Sequence, residues 1–357
     1  MGNLKYIKSL DGVRGFAALS VMFFHFSHIY VLQGNPLKNL IQKISIFGQT
    51  GVTLFFVLSG FLITRILLNA KNESQFFSNF YLKRTIRIFP LYYLFLVIYY
   101  LVVPIITNSN VAHLYQQIYY WVYLQNFAIT FNWDAIGPNH YWSLGVEEHF
   151  YLFWPLIVYY LPIKKIQNVI FLLIGVSILL RVILLRLGYP VFYFTFTNLD
   201  ALSLGALLAI QEKKFGLLSF SAKKFGIVLL ILIVPTVLLW VGTEGKGLDI
   251  IQTVKPFLLS LIYYCFIGMI IAKDEAKITS AIFKNGFILY TGKISYGLYV
   301  YHPLIYFIYA KYSRIDNYYL NFISCLALSY LLASLSYHFF ESKFFVLRKY
   351  LNRATVR

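Results

Sequence analysis

The chain has 357 residues, of which 59% are hydrophobic and 12% charged, with 31 Lys+Arg against 13 Asp+Glu and a net charge of +18. A soluble domain averages roughly 45–50% apolar and about 25% charged residues, so this composition excludes a disordered chain, a nucleic-acid-binding domain and an ordinary soluble enzyme. A soluble fold of this size cannot hide so much apolar surface from water, and lipid is the natural solvent for most of it.

A bilayer crossing takes about 20 mainly apolar residues. In chain order the candidates are 13–33, 45–68, 88–106, 143–161, 166–187, 197–211, 225–241, 251–272, 294–311 and 318–340. The sixth is short, and Ala201, Gly205 and Ala209 form a small-xxx-small row on it, which suits close packing against a neighbour. A further apolar-aromatic stretch, 113–131, is ambiguous by composition, and loop charge decides it. With the N-terminus inside and 113–131 left outside as a non-spanning segment, 21 of the 31 Lys and Arg are assigned to internal loops, tails and the inner ends of spans and seven to external loops and the outer ends of spans, as the positive-inside rule requires. Counting 113–131 as a span would put Lys213, Lys214, Lys223 and Lys224 outside. The expectation is an all-α, polytopic membrane helix bundle of about ten transmembrane helices with both termini cytoplasmic. Residues 1–342 form its one transmembrane domain and 343–357 a basic tail. The external loop 107–142 contains no Lys or Arg and is rich in Tyr, Trp, Asn and Gln, which suits an interfacial or re-entrant lid.

Lys5 and Lys8 ahead of an apolar stretch resemble a signal peptide only superficially, because Asp11 and Arg14 interrupt its start and no A-x-A-like site follows. The segment reads as a retained first helix. Asn72-Glu73-Ser74 matches a glycosylation sequon but falls on the cytoplasmic side. Cys265 and Cys325 lie in apolar segments and make no disulfide framework.

A charged side chain at mid-bilayer costs about 2.5–3.5 kcal/mol on insertion scales, so the polar residues inside these spans call for a reason. Arg14 and His25 are eleven residues apart; on a helix that is about 1100°, three turns plus 20°, so they share a face roughly 16 Å apart along the axis. A cation at the inner mouth with an imidazole deeper in suits an anionic ligand from the cytoplasm; the plainer reading is a snorkelling Arg and a hydrogen-bonded core His. Arg84 and Arg87, at i,i+3 ahead of Phe89-Pro90, can converge on one anion, and phosphate matches their fork. They also suit a positive-inside anchor. In Trp142-Ser143-Leu144-Gly145-Val146-Glu147-Glu148-His149, two carboxylates and a His enter a span from its outer side, where no anchoring rule wants acid; a helix-start carboxylate is the structural alternative. In Ser295-Tyr296-Gly297-Leu298-Tyr299-Val300-Tyr301-His302-Pro303, Tyr299 and His302 share a face, and Pro303 is expected to break the helix at His302 or just beyond. An interfacial aromatic cluster is the alternative there. Asp200 is a lone intramembrane acid, read as structural, with Arg181 or Lys293 as its possible partner. No metal-ligand spacing, Walker or Rossmann glycine pattern, or Gly-x-Ser-x-Gly elbow is present, so no metal is expected.

Together these segments resemble the acyltransferase-3 family of integral-membrane acyltransferases over about residues 9–342. Leu10-Asp11-Gly12-Val13-Arg14-Gly15 leads to His25 as R-x10-H. Gly51-Val52 through Phe55-Phe56-Val57-Leu58-Ser59-Gly60-Phe61-Leu62 matches the second-helix signature. Arg84 and Arg87 match R-x-x-R, Trp142 to Glu147 match W-S-L-x-V-E, and Ser295-Tyr296 to His302 match S-Y-x-x-Y-x-x-H. Thr53 stands where relatives are often acidic and takes no role; Ser342-Lys343 follow Glu341 where E-R-P is common. The fused extracytoplasmic domain of many relatives is not expected in this chain.

The resemblance implies transfer of an acyl group, usually acetyl, from cytoplasmic acyl-CoA to a hydroxyl, usually of a carbohydrate or lipid-linked glycan, in a multi-pass protein of the bacterial inner membrane. Arg84, Arg87 and Arg14 would bind the acyl-CoA donor. His25 would act as general base or transient acyl carrier, with Glu147 or His302 orienting its ring or serving the acceptor. Tyr299, Ser295, Trp142 and Glu148 are candidate acceptor-binding positions. A separate extracytoplasmic transferase and the lipid bilayer are the expected partners, and nucleic acid is not. A transporter or flippase of a glycan or glycolipid would use the same polar residues as proton relays, but the chain shows no inverted repeat. A scaffold subunit has no need of the ionisable set.

Overall fold

A computed structural model describes residues 5–31, 34, 36–242, 249–274, 276–313 and 315–346. Residues 347–357 of the expected basic tail lie outside these. All regular elements among the described residues are helical: α1 (Ser9–Ile29), α2 (Pro36–Ser45), α3 (Gly51–Ala70), α4 (Phe76–Val97), α5 (Val103–Thr107), α6 (Leu114–Trp121), α7 (Gln125–Thr130), α8 (Trp142–Tyr160), α9 (Ile163–Arg186), α10 (Leu199–Phe215), α11 (Ala222–Gly242), α12 (Asp249–Ala272), α13 (Lys277–Phe283), α14 (Gly286–Tyr312) and α15 (Tyr318–Leu335). π-helical turns at Ile98–Val102 and Ser336–Glu341 join α4 to α5 and extend α15.

Each of the ten sequence candidates has a helix over it. Six helical stretches are long and apolar enough to cross a membrane: Lys38–Ala70, Phe76–Thr107, Ile163–Arg186, Ala222–Trp240, Ile251–Ala272 and Tyr318–Val346. The protein is therefore a multi-pass integral membrane protein. The other four, α1, α8, α10 and α14, carry Arg14 and His25, Glu147 and Glu148, Asp200, and Ser295, Tyr299 and His302. Candidate side chains thus lie on three of these four helices, α1, α8 and α14, while Arg84 and Arg87 lie on α4, within one of the six apolar stretches. The ambiguous 113–131 stretch forms α6 and α7, of 8 and 6 residues; at 1.5 Å per residue neither approaches a hydrocarbon core about 30 Å thick.

Two expectations need correction. The first helix begins at Ser9 rather than 13; Asp11 sits in its first turn, where the helix dipole favours an acid. Pro303 does not break α14, which runs through to Tyr312. Pro90, Pro155, Pro235 and Pro256 likewise lie inside helices. In an apolar environment an unravelled backbone would expose more unpaired groups than the single bond a proline removes, so the helix is the cheaper state.

The chain divides into two compact units, one of Met1–Leu10, Val52–Phe76 and His113–Lys284, the other of Asp11–Gly51, Phe77–Ala112 and Asn285–Arg357. In the first, backbone meets backbone where α3 crosses α10: a Cβ on Gly60 would lie 2.0 Å from the Leu202 oxygen, and one on Gly205 2.0 Å from the Val57 oxygen. This is the close packing read from the small-residue row. α3 and α8 run in the same direction, since Thr64 Oγ1 accepts from Trp154 Nε1 at 2.7 Å and, further along both, Lys71 Nζ donates to the Leu161 oxygen at 2.6 Å. Asp200 pairs with Arg181 at 2.7 Å with both side chains 1% exposed, which decides between its two possible partners; Lys293 instead sits over the Tyr337 ring at 4.9 Å.

In the second unit, α1 and α14 approach through Gly15 and Gly292. A Cβ on Gly15 would lie 2.3 Å from the Ile288 oxygen, and one on Gly292 2.0 Å from the Asp11 oxygen. Asn285 caps α14 by accepting from the Ile288 N–H at 2.9 Å. Phe26, Tyr306, Leu298, Cys325 and Ala333 form the buried core around these helices.

Candidate functional site

The glycine contact at the start of α1 and α14 determines what meets further along. His25 and His302 each lie ten residues beyond it, so two parallel helices bring them to the same level. His25 Nδ1 is 2.9 Å from His302 Nε2, with ring centroids 5.0 Å apart. His302 is fully buried, and its Nδ1 is 2.7 Å from the Leu298 carbonyl oxygen. A carbonyl only accepts, so His302 Nδ1 carries a hydrogen and the Nε2 of the neutral ring is an acceptor. His25 Nδ1–H must then donate, and the lone pair of His25 lies on Nε2. The pair fixes one tautomer of His25 and leaves its Nε2 basic.

Arg14 pairs with Asp11 at 3.0 Å, with 21% of its side chain exposed, so one charge of its partner is already met while the guanidinium stays accessible. Tyr299 lies 6.2 Å from the His302 ring. Ser295 is buried and donates to the Gly292 oxygen at 2.9 Å, which makes it part of the α14 crossing rather than an open binding group. Arg84 is half-buried and Arg87 exposed on α4. The neighbouring Tyr296 hydroxyl donates to the Ile88 oxygen at 2.8 Å, tying α14 to the turn that carries both arginines. Glu341, a residue given no role by the sequence, is buried beside Ser336, which donates to it at 3.1 Å, and it feels the charge of Arg87.

The remaining candidates belong to the first unit. Glu147 accepts a short hydrogen bond from Ser59 of α3, a partner that lies within the second-helix signature. Trp142 is buried against Phe56, Phe192 and Tyr193. Glu148 is half-buried on the same helix. Adjacent His149 bonds Thr195, and Thr195 bonds Asn126; sequence reasoning noted His149 among intramembrane polar residues and assigned it nothing. Its position directly after two carboxylates was the available signal. Among the described residues no group of three or more His, Cys, Asp and Glu is placed to hold a metal ion.

An imidazole pair anchored on a backbone carbonyl, with an arginine on the same helix, is an arrangement that can move a proton beside an anionic or acyl group. The sequence profile of an acyltransferase domain matches residues 7–338. The chain belongs to this acyltransferase family. O-acetyltransferase OatA of Staphylococcus aureus strain NCTC 8325 / PS 47 is 28% identical to it over 368 residues, covering 95% of this chain and 57% of that protein. OatA of strain COL matches to the same extent. The chain thus spans somewhat over half the length of the curated relatives it matches. No solved structure matches it.

Proposed function

We propose that this protein is an O-acyltransferase of the bacterial inner membrane that moves an acyl group, acetyl by preference, from cytoplasmic acyl-CoA to a hydroxyl of a carbohydrate or cell-envelope glycan. The observation that carries the reading is the His25–His302–Leu298 chain of hydrogen bonds, which leaves a neutral imidazole with its basic nitrogen unblocked. His25 Nε2 takes the proton of the acceptor hydroxyl as that oxygen attacks the thioester carbonyl; the carbon–sulfur bond breaks, and the proton passes to the departing thiolate. Such general-base help is worth about 10²–10⁴-fold in rate. Arg84 and Arg87 hold the donor phosphates, and Arg14, partly neutralised by Asp11, draws the thioester end toward His25. Glu147 serves the acceptor, with Glu148 and Trp142 beside it on α8, while Tyr299 lies by His302.

The same reading gives ten crossings with both termini cytoplasmic and one transferase domain over 1–342. Two helix directions support it. α1 and α14 are parallel, as a first and a ninth span must be, and α3 and α8 are parallel, as a second and a fourth must be. A crossing at 113–131 would reverse both relations. A separate extracytoplasmic transferase is a fitting partner for onward transfer.

Membranes containing the protein, given radiolabelled acetyl-CoA and candidate envelope glycans, are expected to place label covalently in the glycan. His25→Ala at equal protein level is expected to lower it by about 10²–10⁴-fold. Movement of unlabelled glycan without transfer would overturn the proposal in favour of a carrier, and full transfer by His25→Ala would overturn the role of His25 as the base.

A further inference from the structure

His149 is an imidazole on a candidate helix, α8, that the proposed reaction leaves unused. Its Nδ1 is 2.8 Å from Thr195 Oγ1, and Thr195, 2% exposed, also receives the Asn126 amide at 2.6 Å. Asn126 is fully buried on α7, and its Oδ1 lies against Gly145 of α8, where a Cβ would come within 2.9 Å. With the Asn126 amide nitrogen facing Thr195, and its Oδ1 buried without a hydrogen-bond partner among the described residues, the hydrogens follow. The Asn126 nitrogen only donates, so it occupies one lone pair of Thr195 Oγ1. The threonine's own hydrogen is buried and has His149 Nδ1 as its acceptor. Nδ1 therefore accepts, and the neutral His149 ring carries its hydrogen on Nε2. This is the opposite tautomer to that of His25. Among the described residues His149 Nε2 has no hydrogen-bond partner, so a donor is held ready with nothing to receive it.

Its surroundings are aromatic. Phe127 meets the His149 ring edge to face at 5.5 Å, and Phe127 in turn packs with Phe194 and Phe196, the last 41% exposed. A fixed N–H beside ring faces suits a ligand that alternates C–H faces with hydroxyl oxygens. We propose that Asn126 and Thr195 lock His149 as a hydrogen-bond donor whose Nε2–H binds an oxygen of a hydroxyl-bearing ligand, a carbohydrate by class. The lock stands on this geometry alone; the ligand class rests on the proposed transfer to a glycan hydroxyl.

Two measurements separate the parts. Magic-angle-spinning NMR of the histidine-labelled protein in lipid, with His149→Gln to identify the signal, is expected to show the hydrogen on Nε2. Thr195→Ser should keep that signature and Thr195→Val lose it. A hydrogen on Nδ1 in the wild type overturns the lock. For the ligand, chitotetraose is titrated into the purified protein. The glutamine amide nitrogen reaches nearly where the ring Nε2 stood, so His149→Gln should bind almost as wild type, while His149→Phe should weaken binding about tenfold, the size of one lost hydrogen bond. Equal binding by His149→Phe, or no binding by the wild type, overturns the donor role. In the transfer assay the KM for the glycan should rise with that for acetyl-CoA unchanged. Should wild-type membranes transfer no acetyl, the proposed reaction falls, while the NMR and binding results still decide the case of His149.

Discussion

His25 and His302 differ in what their rings can do. His302 has its Nδ1 committed to the Leu298 carbonyl and its Nε2 to His25, so it holds rather than reacts. Replacing His25 removes the base and should cost about 10²–10⁴-fold in transfer. Replacing His302 with Ala leaves the base but frees its tautomer and orientation, which should lower kcat less, with the acyl-CoA KM unchanged. Because the two act as one unit, the double variant should be no slower than His25→Ala alone. Multiplicative losses in radiolabel transfer at matched protein level would mean the rings work separately. The sequence made part of this legible: the helical repeat put Arg14 and His25 on one face, and Tyr299 with His302 on another. It does not encode a contact across 277 residues, since periodicity speaks only of one helix at a time. The Asn126–Thr195–His149 chain was hidden for a related reason. Thr195 lies in the irregular stretch between α9 and α10, where no pattern marks which residue turns inward.

Between helices, glycine placement decides what can meet. Alanine is favoured over glycine in a helix by about 1 kcal/mol, so Gly292→Ala would be stabilising in isolation. Here the new Cβ would overlap the Asp11 backbone oxygen at 2.0 Å, and backbone cannot rotate aside; overpacking of about 1–3 kcal/mol wins. Gly292→Ala should lower the thermal midpoint in detergent and, by parting α1 from α14, reduce transfer. Gly175 of α9 has nothing within 4 Å of its would-be Cβ, so Gly175→Ala should be neutral or raise the midpoint. An undiminished midpoint with full activity in Gly292→Ala would refute the crossing. The Arg181–Asp200 pair joins α9 to α10 in the other unit. Removing either partner leaves a buried charge uncompensated at about 3–5 kcal/mol, whereas Arg181→Met with Asp200→Leu together should cost clearly less than the sum. Additive losses in detergent unfolding would show that the two charges are not coupled. The acid was readable as intramembrane and structural, but Arg181 and Lys293 were equal candidates until the fold chose. Proline misled at this level: the rule that it ends helices comes from water, where a freed carbonyl finds a new partner at once.

For the whole chain, the proposed sidedness joins charge to helix direction. The positive-inside count places 107–142 outside and the Lys213–Lys224 loop inside. On the proposed ten crossings, the parallel runs of α3 with α8 and of α1 with α14 fit α6 and α7 adding no crossing, and at 8 and 6 residues each is too short to span alone. Independent lines, loop charge and packing direction, thus lead to the same parity. The readout is direct because both native cysteines, Cys265 and Cys325, are buried and should stay silent to an impermeant maleimide. Ser109 and Lys213 are both exposed. Ser109→Cys should label in intact cells, and Lys213→Cys only after the membrane is permeabilised. Labelling of Lys213→Cys from outside would mean that the chain crosses once more or once less before α10. That outcome would also put the Arg84–Arg87 turn and the lysine loop on opposite sides, and the cytoplasmic donor would then need a different set of cations.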